Sequence, residues 1–506
     1  MNINAFEHEH SPVQFLEYNS NIIEKNKHLN KPFYLLFSAQ WCYWCKVFAK
    51  KTLMEERVYS YLNENFINIF IDADIHTTAY QKFKATGWPY TVFLNPNGTI
   101  HYKYAGTVFP DDFIEVLKEV RDNIADGRSI PGQEPDPYEY APPDKLDKSR
   151  LKSFPQLFRQ TVIENFDDEQ SGVGKGEKAV FPQTFLYLLN TSSKTEKSEA
   201  IQAIHATLKN AIENIYDPIE GGFFRYAETR DWQVPHYEKM GDLNAGIVLL
   251  LNRIAKETNS PELKVVADKT LNYLGKTLYN SEAGSFLSFQ EADEHYYFLN
   301  EEGRKSSKAP LVIQKVFTDR LARTLNYLLD ILNDSEDEIL EEKVRKSLNF
   351  LSKMVSDHNQ IYHYYALSKK QWLSKSGLSD YALLAPMFLK AANRLGDRRY
   401  QDAASKVLQM AQDQYFDSKL GIFAENLTEN WSDVEYHMEI NGLLTQAMML
   451  LPAKNGRKER MDAIAGQINY FSAMDEIFED RSWDTKEWEF LESYVPYLKA
   501  TERFLK

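Results

Sequence analysis

Two cysteines are the whole thiol complement of this 506-residue chain, and they stand three apart in Trp41-Cys42-Tyr43-Trp44-Cys45. Thiols at that spacing can close into a disulfide and reopen by exchange. The first attacks, and the second, one helical turn along, resolves the mixed disulfide. A framework of structural disulfides would scatter its cysteines. A zinc site would need histidines as well, and the nearest ones, His28 and His76, have no finger-like spacing to the pair. Redox chemistry without a metal or other cofactor is the leading reading.

The flanking sequence supplies elements that could position such a pair. Phe33 to Ser38 (FYLLFS) reads as an apolar strand, and Lys46 to Tyr61 reads as a helix. Cysteine at a helix start meets unpaired backbone N–H groups and the positive end of the dipole. Both favour thiolate over thiol, which in this arrangement lowers the first cysteine to roughly pKa 7. Further strands are predicted at Phe66 to Ile71, at the end of Thr86 to Leu94, and at Ile100 to Tyr104 after the turn Asn95-Pro-Asn-Gly98. Asp111 to Asp122 closes the region as an amphipathic helix. Residues 10 to 125 together resemble an α/β thioredoxin fold. The resemblance puts Pro89 at the cis-proline position opposite the cysteines, with Trp41, Tyr43 and Trp44 around them. Three positions depart from it. Leu36 stands where thioredoxins keep a buried carboxylate, and Tyr43 and Trp44 stand where they carry Gly and Pro. The two aromatic residues crowd the attacking sulfur and narrow what can approach it, and Leu36 leaves no carboxylate to help move the resolving thiol's proton.

Residues 127–150, rich in proline, glycine and charge, read as a linker between a domain at 1–126 and a second one at 151–506. The second domain is a succession of apolar-periodic helices, among them Ala245 to Lys256, Arg320 to Leu332, Tyr381 to Leu395, Tyr400 to Gln414 and Gly442 to Leu451. Between them a short pattern recurs: Asp217 to Phe223, Asn280 to Phe286, Asp417 to Phe423, and a degraded copy at Ser356 to Tyr362. The copies lie roughly 60 to 75 residues apart, room for two helices each, so the domain holds about six helical hairpins. Six hairpins can close into an all-α (α/α)6 toroid around a funnel. A polar residue is expected where the next helix begins: Asp242, Asp319, Asp380, and Glu439 with Asn441. These positions suit helix capping, and as a set they suit one polar rim.

Gly221 to Asn244 is the densest polar stretch, combining Arg225, Tyr226, Trp232, His236, Glu238, Lys239 and Asp242. Such a mixture in a loop between helices serves a polar-ligand pocket, or an ordinary hydrogen-bonded loop core. His236, His363 and His437 lie in or just beyond repeat loops and are candidates for acid–base work near neutral pH. Glu238, Asp242, Asp380 and Glu439 are candidates for the paired carboxylates of hydrolysis.

The glycine-rich loop, the tryptophan and the Pro-His-aromatic-Glu-Lys-Met run of Gly221 to Met240 resemble the spermatogenesis-associated thioredoxin-like family. So do Phe181-Pro182 and Asp380-Tyr381-Ala382. That family joins a thioredoxin-like domain to a six-hairpin toroid related to sugar epimerases, of the N-acylglucosamine 2-epimerase type, and to glycosidases. Its CxxC usually carries histidine beside a tryptophan, where this chain has Tyr43. The resemblance implies a thiol–disulfide redox protein whose toroid binds a protein partner or a carbohydrate-like ligand. The alternatives are a carbohydrate-active enzyme (a sugar isomerase, epimerase or hydrolase) and a non-catalytic two-domain scaffold.

Composition excludes other classes. With a net charge of −14 and no long basic stretch, the chain would on average repel phosphates, so no nucleic-acid partner is expected. The polar start, Met1 to Ser20, lacks the form of a signal peptide, and no apolar run approaches a membrane span. A cytoplasmic location without membrane contact is the expectation. The 30 Tyr, 30 Phe and 8 Trp are expected mainly to fill cores.

Overall fold

The computed structural model describes residues 11–19, 21–76, 79, 83, 85, 87–128, 141–191, 194–358, 360–425, 431–451, 457–473 and 491–506. The chain divides into two compact units, Met1–Tyr138 and Glu139–Lys506.

The first unit is built on five strands: β1 (Leu16–Glu17), β2 (Phe33–Ser38), β3 (Ile67–Asp72), β4 (Tyr90–Leu94) and β5 (Ile100–Ala105). They lie in the order β1-β3-β2-β4-β5, with β2 parallel to β3 and antiparallel to β4. Helices α1 (Ile22–Asn26), α2 (Tyr43–Lys51), α3 (Glu56–Asn65) and α4 (Pro110–Ala125) accompany them. β2 and β3 are buried along their length, and mostly apolar, because both faces are covered. On one face Tyr34, Leu36 and Phe70 pack with Phe48, Leu62, Phe113 and Leu117. On the other, Phe33, Leu35 and Phe37 pack with Ile69, Ile71 and Phe83. The helix expected over 46–61 is two helices. The Thr52 hydroxyl donates to Val108 O at 2.8 Å and Leu53 turns into the core, which ends α2.

The second unit is helical: α5 (Lys148–Glu164), α6 (Pro182–Thr191), α7 (Lys194–Asn214), α8 (Gly241–Thr258), α9 (Pro261–Tyr273), the short α10 (Glu294–Tyr297) and α11 (Glu301–Lys305), α12 (Thr318–Asp334), α13 (Glu338–His358), α14 (Leu378–Leu395), α15 (Arg398–Tyr415), α16 (Trp431–Leu450), α17 (Arg457–Tyr470) and α18 (Leu491–Phe504). Helices α6, α8, α12, α14, α16 and α18 pack each on the next, and α18 returns to α6. The ring is closed. The long helices between them in sequence form an outer layer. Inner helices are covered on more sides than outer ones, so α8 is buried through almost all of 241–251, whereas α13 buries a single stripe. A Cβ on Gly442 of α16 would sit 2.4 Å from the Tyr497 backbone N of α18, so only glycine lets these backbones approach.

The recurring motif is a tight hairpin at the end of an outer helix. Asp217 Oδ1 accepts from Ile219 N and Glu220 N, and Asp417 Oδ1 accepts from Lys419 N and Leu420 N. Gly221, Gly284 and Gly421 adopt positive φ, and Phe223, Phe286 and Phe423 turn into the core. A copy missed in the sequence lies at Asp167 to Val173, where Ser171 (φ 59°) and Val173 replace the usual glycine and aromatic residue. The Ser356 to Tyr362 copy is not such a hairpin: 356–358 still belong to α13, and Tyr362 opens the strand Tyr362–Ala366. Asp242, Asp319 and Asp380 do stand in the first turns of α8, α12 and α14. Glu439 and Asn441 do not, because α16 begins eight residues earlier, at Trp431, and both lie inside it. Among the described residues, no helix is long and apolar enough to cross a membrane.

Candidate functional site

In the first unit β2 delivers the chain to Cys42, which caps α2 and is disulfide-bonded to Cys45. Cys45 N donates to Cys42 Sγ at 3.1 Å, so a first-turn N–H faces the sulfur that carries negative charge after reduction. Both sulfur-bearing residues are buried, at 3% and 4% exposure. Trp41 is buried beside them, its indole N–H donating to Asp74 Oδ2 at 2.8 Å. The Tyr43 and Trp44 rings meet edge to face at 5.3 Å, and Trp44 O accepts from Thr107 Oγ1 at 3.1 Å. The Trp88–Pro89 peptide bond is cis. Leu36 is buried opposite Phe70 and Thr91 on β2, in an apolar face without a carboxylate.

The toroid residues singled out in the sequence separate into groups with different roles. Lys239 is fully buried: Nζ donates to Asp217 Oδ2 at 2.7 Å and to Gly221 O at 2.8 Å, under the rings of Phe224, Tyr273 and Tyr297. Arg304 reaches the same Asp217 at 2.8 Å. The preceding repeat copies this design, Asp167 binding Lys178 at 2.9 Å and Arg230 at 2.7 Å. Lys239 therefore anchors a repeat loop and offers nothing to a ligand. Trp232 is also core, its indole N–H donating to Gln170 O at 2.9 Å. His437 Nε2 accepts from Glu425 N at 3.1 Å and so ties α16 to the end of the Asp417 hairpin.

A second group surrounds His236. Its ring stacks on Tyr226 at 4.1 Å, Nε2 lies 3.0 Å from the Tyr226 hydroxyl and bonds Glu228, and Nδ1 lies 3.7 Å from Glu238. Burial alone would lower its pKa, but Glu238 and Glu228 outweigh burial and hold it above the ordinary value. Arg225 lies over the Tyr226 ring at 5.4 Å. Burial works to raise the Glu238 pKa, yet His236 and Arg225 keep it below the usual carboxylate range.

A third group joins the inner helices. Arg323 on α12 bridges to Glu439 at 3.1 Å and reaches Asp242 at 4.0 Å, while Arg320 binds Asp242 at 3.1 Å. Glu492 on α18 accepts from Gln183 N at 2.6 Å at the start of α6, and burial pushes its pKa up to about 7. The fourth group is His363, whose Nδ1 lies 3.0 Å from Asp380 Oδ2, while Gly377 N donates to the same oxygen at 2.9 Å. Burial raises Asp380 to about 6 against the pull of His363, with Asp319 adding to the rise. Among the described residues, Asp319, His363 and Asp380 form the set with metal-ligand spacing, their ligand atoms all within 4.8 Å of one another. Sequence reading missed Arg320, Arg323 and Glu492. The signal for the arginines is their spacing, one helical turn apart on an inner helix just after Asp319.

Comparison with known proteins follows the division of the chain. Residues 5–130 match the family model for thioredoxin-like proteins of the DsbH type, described as a protein of unknown function (DUF255). Spermatogenesis-associated protein 20 of rat is 26% identical over 316 residues, covering 57% of this chain and 40% of the relative; its human counterpart is 25% identical over the same shares. The match thus spans about two fifths of these curated relatives' length. Among solved structures, a D-mannose isomerase superposes with a TM-score of 0.53 at 11% identity, covering 72% of this chain and all of that one. Cellobiose 2-epimerase from Bacillus thermoamylovorans superposes with a TM-score of 0.51 at 13% identity, covering 65% and 88%. At such identities the likeness is one of fold. The chain is therefore similar to spermatogenesis-associated protein 20, with a first unit like the DsbH-type thioredoxin-like domains and a second unit that shares its toroidal fold with the isomerase and the epimerase.

Proposed function

We propose that the protein carries out thiol–disulfide exchange at Cys42 and Cys45, and that its toroid receives a protein partner or a carbohydrate-like ligand. The observation that carries this reading is the seat of the Cys42 sulfur at the start of α2, accepting from Cys45 N. In the reduced protein the Cys42 thiolate attacks one sulfur of a partner disulfide, and the other sulfur leaves as a thiolate. The Cys45 thiol gives up its proton and attacks Cys42 Sγ, which releases the partner's second sulfur as a thiolate and restores the Cys42–Cys45 disulfide. The partner gains two electrons and the protein loses two. With Tyr43 and Trp44 beside the sulfur, this reading expects a narrow range of partners. Exchange with a small aromatic disulfide should be lost in Cys42→Ser, and Cys45→Ser should stop at the mixed disulfide. Unchanged exchange in Cys42→Ser would refute the proposal.

A second reading rests on His236. An imidazole between two carboxylates that raise its pKa, stacked on a tyrosine, suits proton transfer beside a carbonyl or at a glycosidic oxygen. The toroid's fold neighbours include a D-mannose isomerase and a cellobiose 2-epimerase, which favours a sugar as the ligand. Turnover of an aldose or disaccharide that falls at least about a hundredfold in His236→Ala would support this reading. No turnover and no binding across a sugar panel would dismiss it.

A further inference from the structure

Asp319, His363 and Asp380 are brought together by a part of the toroid that neither reading above uses. The strand Lys315–Phe317 pairs with Tyr362–Ala366, which pairs in turn with Gln371–Lys375. The first of these strands runs straight into α12, and the last reaches α14 after Ser376 and Gly377. One small sheet therefore sets the starts of two inner helices. Phe317 lies opposite Tyr364, and the Thr318 hydroxyl donates to Tyr362 O at 2.7 Å, which brings Asp319 beside His363. His363 comes from the middle strand, while Asp319 and Asp380 come from the first turns of α12 and α14. Groups carried on packed elements of this kind keep their relative positions.

The charge balance here differs from that of the other buried aspartates. Asp167 and Asp217 are neutralised by Lys178 and Lys239, at 2.9 and 2.7 Å. Asp380 is fully buried, but its partner is an imidazole, and Asp319 acts on it as a like charge. A third carboxylate, Glu425, also repels Asp380, and the cation acting on it, Lys375, is exposed to solvent. Glu425 Oε1 accepts from Leu378 N, in the same helical turn as Asp380. Its Oε2 is buried and has no hydrogen-bond partner among the described residues, since the Tyr415 hydroxyl donates to Ser376 O at 3.0 Å. A cation at this place would offset the repulsion. The distances suit one. The ligand atoms of Asp319, His363 and Asp380 all lie within 4.8 Å of one another. His363 Nδ1 and Asp380 Oδ2 are 3.0 Å apart, the spacing of neighbouring ligands that each lie about 2.1 Å from one octahedral ion. The contact is a hydrogen bond while Nδ1 is protonated, and becomes a ligand pair once an ion displaces that proton.

We propose that Asp319, His363 and Asp380 bind a first-row divalent transition-metal ion such as Zn2+. An imidazole among the ligands favours such an ion over Mg2+ and Ca2+, which take oxygen ligands. Three protein groups leave a coordination position for water or for an oxygen of a small ligand. Glu425 Oε2 offers an acceptor to water on the ion. Asp319 is only half-buried and gives the ion a way in. The site needs neither the cysteine pair nor His236.

The test is equilibrium dialysis of the chelator-treated, untagged full chain against Zn2+ and, separately, Mg2+, with Cys42 and Cys45 kept oxidised so that no thiolate binds metal. One Zn2+ per chain is expected, held at least about tenfold more tightly than Mg2+. Asp319→Asn, a change of nearly the same shape at a half-buried position, should weaken Zn2+ at least about tenfold, and His363→Gln should do the same. In the wild-type chain, oxidation by Cu2+ and ascorbate should mark His363 ahead of the exposed His28 and His295, and excess Zn2+ should suppress that mark. This localises the ion even if a variant does not fold. No stoichiometric Zn2+ in the wild type, equal affinity in wild type and Asp319→Asn, or oxidation of His28 and His295 ahead of His363 would each overturn the proposal.

Discussion

Asp217 and Cys42 illustrate how differently single residues carry this molecule. Asp217 is fully buried, and burial works to raise its pKa, but Lys239 and Arg304 hold the carboxyl below the usual range. Replacing it by Ala leaves two cations in the core without their shared carboxylate. Asp217→Ala is therefore expected to cost about 3–5 kcal/mol of stability, read from urea unfolding of the full chain. If Lys239 instead served a ligand, the same change would leave stability nearly untouched. The sequence announced Lys239 and Trp232 as members of a polar pocket because residue type alone does not say which way a side chain turns. Both turn inward. The cysteine pair was legible for the opposite reason: its chemistry is local, contained in four residues at a helix start, and long-range packing does not alter it. His236 lies between these cases. Its loop was legible as polar and aromatic, but Glu228 as its close partner was not, since that contact exists only once the loop folds back on itself.

At the level of elements, the repeat hairpins show what periodicity reveals and what it conceals. Copies with a glycine and an aromatic residue were readable, whereas the one at Asp167 to Val173 was not, because Ser171 takes the left-handed conformation without being glycine. A non-glycine residue there costs roughly 1–2 kcal/mol, partly offset by the greater freedom of glycine in the unfolded chain. Ser171→Gly is accordingly expected to be neutral or to stabilise by up to about 1 kcal/mol, measured by thermal unfolding. A clear loss of stability would show that the serine hydroxyl has a role of its own. The helix pair α16 and α18 is more demanding. Gly442→Ala places a methyl within 2.4 Å of the Tyr497 backbone, where no side chain can yield, so a loss of at least about 2–3 kcal/mol is expected. The start of α16 was misjudged in the sequence because Glu439 and Asn441 precede an apolar run and read as a cap. The helix in fact begins at Trp431, and Asn441 bonds the repeat hairpin from within it, accepting from Phe423 N at 2.9 Å.

Across the whole molecule, closing the toroid depends on joining its last inner helix to its first. Glu492 of α18 does so by accepting from Gln183 N and Thr184 N at the start of α6. Its pKa is raised to about 7 by burial, with Arg323 opposing the rise. A carboxyl raised on folding adds stability below its unfolded pKa, and that contribution is lost as pH rises through its folded value. For Glu492 the loss falls between about pH 5 and 8. Glu492→Gln keeps the acceptor and removes the titration, so the fall in melting temperature from pH 6 to pH 8 should be smaller than in the wild type. An equal fall in both proteins would assign the pH dependence to other groups. The two-unit plan was legible from the proline-rich stretch and from the change of pattern on either side of it. The ring closure was an extrapolation from repeat count, since contacts between helices more than 300 residues apart leave no periodic trace.

The claim on which the account turns is that the first unit is a working redox centre, and equilibration of the full chain in glutathione redox buffers tests it most directly. Free thiol would be read by alkylation and mass at each buffer ratio. A working pair gives one two-electron transition for Cys42–Cys45, with Cys42 alkylated faster than Cys45 in the reduced protein. A pair that stays oxidised, or stays reduced, across the whole accessible range, with both thiols equally inert to alkylation, would contradict it.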